Sequence, residues 1–99
     1  MTIRGVFPDK DPVDRLDYPA DFSNELESDE VVSSFSVDID PTGELVQENL
    51  TGQGTQYPTV WLSGGSAGTV YLISFTATTN KGTPQRIFNR KYRLRVRDL

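Results

Sequence analysis

The chain has 99 residues, 35% of them hydrophobic, and a formal net charge of −4. That length holds one domain with one modest core. It contains no cysteine and no histidine, which excludes a disulfide scaffold, a thiolate site and Ser-His-Asp or Cys-His catalysis within the chain.

Residues 1–16 set Gly5, Pro8 and Pro12 among charges and read as an extended N-terminal arm. Residues 17–99 then form a single domain. The opening residues hold no apolar run suited to a signal peptide, and no segment is long and apolar enough to span a bilayer. Folding in a cytosol, with no membrane contact, is the expectation.

"LDYPADFSN" places Leu16, Tyr18, Ala20 and Phe22 on one face. Pro19 lacks a backbone donor, so this is an edge strand. Residues 21–30 are too short and too acidic for more than one or two helical turns. "VVSSFSVDID" alternates with Val31, Ser33, Phe35, Val37 and Ile39 on one side, the pattern of a half-buried strand. "DPTG", residues 40–43, signals a type I turn. "ELVQENL" is a short strand, "TGQGTQ" a loop, and "YPTVWLS" a strand ending at a glycine cluster.

"TVYLISFTATT" puts Tyr71, Ile73, Phe75 and Ala77 on one face. "NKGTP" is a hairpin connection with Gly82 available for a positive φ. The last strand turns Phe88, Tyr92, Leu94 and Val96 inward and Ile87, Arg93, Arg95 and Arg97 outward. About seven strands with regular turn signals predict an all-β fold, an immunoglobulin-like antiparallel sandwich. Tyr71 stands where such sandwiches carry a tyrosine corner, with its ring in the core and its hydroxyl on a nearby backbone group.

Residues 1–50 carry a net charge of −10 and residues 51–99 a net of +6. Either the halves neutralise each other inside one fold, or they form a two-sided surface suited to ring or head-to-tail contacts.

Four features carry potential chemistry. Residues 64–68, "GGSAG", match the G-x-S-x-G nucleophile elbow around Ser66. That elbow needs a following helix and a later Asp and His. Here a β-rich segment follows, no His exists, and the only later acid is Asp98. Gly64, Gly65 and Gly68 therefore read as a structural turn. Asp38, Asp40, Thr42 and Gly43 resemble the start of an EF-hand loop, but Asn49 stands where a bidentate Glu belongs. A weak Ca²⁺ site using Asp38, Asp40 and Glu44 is the alternative to a polar turn. Arg93, Arg95 and Arg97 form a ladder suited to an acidic protein partner or to a solvated edge. Nucleic acid fits less well, because the overall balance is acidic and no aromatic residues interleave. Trp61 lies in a strand apolar on both faces, which leaves core, interface and sugar platform open. No acid sits in an apolar run that would raise its pKa for glycosidase work. No cofactor, metal or catalytic residue is expected.

"KDPVDRLDYPADFSNEL" and "VWLSGGSAGTVYLISFTATTNKGTPQRIFNRKYRLRVRD" together resemble small tailed-bacteriophage virion proteins of the fiber-tail adaptor and head–tail or tail-region kind. The matching positions are Lys10, Asp11, Pro12, Leu16, Asp17, Tyr18, Asp21 and Phe22, then residues 60–65, Ala67, Gly68 and Tyr71. Phe22 and Leu26 depart from the pattern, which has a Trp and a further aromatic there. The resemblance implies an Ig-like structural joint in a virion, assembled in the host cytoplasm and not an enzyme. Its implied partners are tail, neck or fiber proteins and further copies of itself. The interface drawn from both readings comprises Lys10, Asp11, Trp61, Arg93, Arg95 and Arg97. An accessory carbohydrate-binding module is the alternative.

Overall fold

The computed structural model describes residues 5–99. Seven strands follow in chain order: β1 Gly5–Val6, β2 Arg15–Pro19, β3 Val32–Asp40, β4 Leu45–Thr51, β5 Thr59–Gly64, β6 Val70–Thr79 and β7 Ile87–Arg95. They build two sheets, β1-β7-β6-β3 and β2-β5-β4, whose inner faces share one core. Among the described residues there is no helix. The immunoglobulin constant arrangement divides strands A to G as ABED and CFG. In those letters the present sheets are A-G-F-C and B-E-D, so only the first strand sits elsewhere.

The sandwich is all-β with about seven strands, as expected, and its first strand adds one parallel pairing. β1 runs parallel to β7, with Gly5 opposite Tyr92 and Val6 opposite Arg93, while the other ladders are antiparallel. β1 and β7 are joined by the whole intervening chain, so no short crossover constrains their relative direction. Residues 5–10 continue along β7: the N–H groups of Phe7 and Lys10 donate to the carbonyls of Arg93 and Arg95 at 2.9 and 3.0 Å. The described part of the arm is thus packed on the sandwich, and β2 already begins at Arg15. Residues 1–4 of the arm lie outside the described residues.

The core follows period-two alternation. On β6, Tyr71, Ile73, Phe75 and Ala77 are buried, while Leu72, Ser74, Thr76 and Thr78 are half-buried on the outer face. β7 adds Tyr92 and Leu94, and β5 adds Val60 and Leu62. Aromatic rings join the arm to both sheets. Phe7 stacks on Tyr92 at 4.6 Å, Phe75 meets Tyr92 edge-on at 5.7 Å, and Phe7 meets Tyr18 at 5.0 Å. Each such pair contributes about 1 kcal/mol beyond its burial.

Two further expectations change. A bulge between Val32 and Ser34 buries both Val32 and Phe35, so Val31 and Ser33 do not share the Phe35 face. One extra residue in the ladder resets the alternation. Residues 41–44 join β3 to β4 as a bend, in place of the expected type I turn with its bond from Gly43 N–H to the Asp40 carbonyl. Pro19 is tolerated because of where it falls in the ladder. Ala20 N–H donates to Pro58 at 2.8 Å, and alternation then directs the missing donor of Pro19 toward the free edge of β2.

Candidate functional site

The arm, the β5 glycine cluster and the C-terminal segment meet at one corner. Lys10 is at its centre and is fully buried. Its Nζ donates to the carbonyls of Gly64 at 2.6 Å and Asp11 at 2.9 Å. Burial pushes its pKa down, and the nearby Asp14 and Asp11 carboxylates oppose that. Arg97 N–H closes the corner by donating to the Lys10 carbonyl at 2.9 Å. Lys10 is therefore not a surface residue, which corrects its place in the expected interface. A long side chain among charged neighbours reads as exposed, and only the tertiary approach of Gly64 buries it.

Asp11 is half-buried and bound to backbone. Its carboxylate accepts from Leu99 N–H and Val13 N–H, both at 3.0 Å. Those two donors hold its pKa below the ordinary value. Asp9 bridges Arg95 and Arg97 at 2.8 Å each, and its pKa is lowered chiefly by the hydrogen bond from Arg95. Arg93 is exposed with no ion-pair partner among the described residues. Trp61 is half-buried on the outer face of β5, with Asp17 opposite it on β2 and Asn49 on β4. Its neighbours Val60 and Leu62 face the core.

The glycine cluster is a turn with defined partners. Gly64 and Gly65 have φ of +73° and +101°, backbone that favours glycine. Gly65 N–H donates to Glu44 at 2.9 Å, and Gly68 N–H donates to Val96 at 2.8 Å. Ser66 N–H donates to the Tyr71 hydroxyl at 3.0 Å, and the Tyr71 ring is buried. The hydroxyl thus satisfies a backbone donor a few residues upstream of its own strand. Tyr71→Phe is expected to lower stability by about 1–2 kcal/mol, measured by urea unfolding, because it orphans that donor. Lys10→Met keeps the volume but strips two carbonyls of their partner. It is expected to cost roughly 1–3 kcal/mol in the same assay.

Among the described residues no three carboxylates gather closely enough to hold a metal ion. Asp38, Asp40 and Glu44 therefore do not form the cation site that their spacing allows.

The acidic stretch at residues 21–30 holds a residue that sequence reading missed. Glu30 is fully buried and accepts from Thr79 Oγ1 at 2.5 Å, Arg86 Nη1 at 2.9 Å and Glu27 N–H at 3.0 Å. Burial raises its pKa, and the three donors together bring it below the ordinary value. Nearby, Lys81 pairs with Asp29 at 2.8 Å, and Arg90 with Glu25 at 3.4 Å. Every ion pair among the described residues joins the acidic half to the basic half. The charge split was the available signal, and it is used largely within one subunit.

The sequence model of a family described as "Podophage GP4 fiber-tail adaptor protein gp77" matches residues 10–95. That span includes Lys10, the glycine cluster, Glu30 and all of β7. No curated protein matches the chain.

Proposed function

The chain belongs to the podophage GP4 fiber-tail adaptor family, and from that premise we propose that it is a non-enzymatic joint between tail and fiber. It is a structural component of the virion and binds other phage tail proteins. The match over residues 10–95 is the observation that carries this reading. The geometry supports it. Lys10, Asp11 and the glycine cluster spend their polar groups inside the fold and leave the outer sheet faces for partners. Ser66, in the elbow-like motif, has its N–H committed to Tyr71.

In this reading the sandwich is an immunoglobulin-like module carried in several copies at the tail or neck. One contact is the outer face of β2-β5-β4 around Trp61. The other is the Arg93, Arg95 and Arg97 edge with its arm. The carbohydrate alternative finds no specific support, because Trp61 is half-buried between strand neighbours. Trp61→Arg tests the first contact. The variant is expected to fold, by circular dichroism, and to be depleted from purified virions by mass spectrometry. Incorporation at the wild-type level removes Trp61 from the interface.

A further inference from the structure

The outer face of the β1-β7-β6-β3 sheet carries charges that the fold leaves unpaired. Strand register defines its rows. Arg93, Leu72 and Asp40 lie across β7, β6 and β3, and Lys91, Ser74 and Asp38 form the next row. Asn89, Thr76 and Ser36 follow, then Ile87, Thr78 and Ser34. Cations thus line β7, carboxylates line β3, and neutral side chains run down β6 between them. Arg93, Asp38 and Asp40 are exposed, with no ion-pair partner among the described residues. Among the described residues Lys91 Nζ bonds only to Ser74 and Asn89. With strands ~4.8 Å apart, the two charged columns stand about 10 Å apart across β6.

We propose that this face is the interface of a two-fold dimer, its occupant a second copy of the chain. An axis running along β6 exchanges left for right and keeps each row at its own height. Arg93 then meets Asp40 of the second copy, and Lys91 meets Asp38 of the second copy. Symmetry makes each contact twice. Leu72 meets its own equivalent on the axis, and the 47%-exposed Val70 lies beside it. The alternative axis, across the strands, sets cations on cations and carboxylates on carboxylates, which repulsion disfavours. A closed two-fold dimer needs one self-complementary patch, and this face provides it.

Size sets the strength. At about 4.8 Å per strand and 3.3 Å per residue, the three long strands, about nine residues each, cover roughly 430 Å² per copy. The total of about 900 Å² is below the standard size and in the range of weak, transient contacts. The dimer is therefore weak, reversible and salt-sensitive. It goes beyond the adaptor reading and does not depend on which tail protein the chain binds.

Sedimentation equilibrium on the purified full chain, from about 10 to 500 µM, tests the proposal in the range of weak association. A monomer–dimer equilibrium is expected at low salt, shifting toward monomer as salt rises. Arg93→Glu and Asp40→Arg are each expected to weaken it roughly tenfold or more, as like charges then face each other. The double variant Arg93→Glu/Asp40→Arg exchanges the charges of that row and is expected to restore the dimer. Both changed positions are exposed, and circular dichroism checks that all three variants fold. A wild-type chain that stays monomeric at the highest concentration overturns the proposal. So do single reversals without effect, a double variant that is not rescued, or open-ended oligomers in place of a dimer.

Discussion

Gly64→Ala is expected to lower stability by about 3–5 kcal/mol, the upper range for a single substitution. Two costs combine. The φ of +73° is backbone that an L side chain resists, and an added Cβ would sit 2.5 Å from the Glu44 carbonyl oxygen. That oxygen has little freedom to retreat, since Gly65 N–H is bonded to it at 2.9 Å. The Gly64 carbonyl also receives Lys10 Nζ, so any shift of the turn loosens the arm. A Tm more than about 10 °C below wild type follows for a domain of this size. Gly68→Ala is the comparison, because its Cβ meets nothing within 4 Å and only its φ of +90° is unfavourable. If both variants melt together, the packing of Gly64 against Glu44 is not what the site requires.

Glu30→Ala is expected to lower Tm by roughly 10 °C or more, because three donors lose their buried acceptor at once. The residue pins the loop at 21–30 to the β6–β7 hairpin through Thr79 and Arg86. Its carboxyl is held below the ordinary value when folded. The stabilisation it gives is therefore complete above the unfolded pKa of ~4.3 and disappears as pH falls through the lower folded value. Unfolding measured between about pH 7 and pH 2 is expected to show a shallower acid limb in the variant. Asp9, Asp11 and Asp29 are shifted the same way and keep part of that limb. Glu30→Gln retains volume and one acceptor, and is expected to fall between the two. An acid limb identical to wild type in Glu30→Ala contradicts a charged Glu30 in the folded state.

The central strands were legible because each buries one face. β5, β6 and β7 alternate cleanly, and Tyr71, Phe75, Tyr92 and Leu94 are buried as their pattern requires. Period-two reading fails where one residue breaks the ladder, as at the Val32–Ser34 bulge. It also fails for β1, whose two residues carry no period and whose parallel partner is about ninety positions away. The candidate site was less legible for the same reason. Lys10 and Glu30 are charged residues in charged surroundings, and what buries them comes from Gly64, Thr79 and Arg86, distant in sequence. The motif letters that suggested a hydrolase describe how the arm is fastened. Lys10 and Gly64, from the two ends of the family pattern, are bonded to each other.

The adaptor reading is tested most directly by electron cryomicroscopy of virions assembled without this chain. The account predicts particles with complete tails that lack attached fibers. Particles that keep their fibers at wild-type occupancy would contradict it.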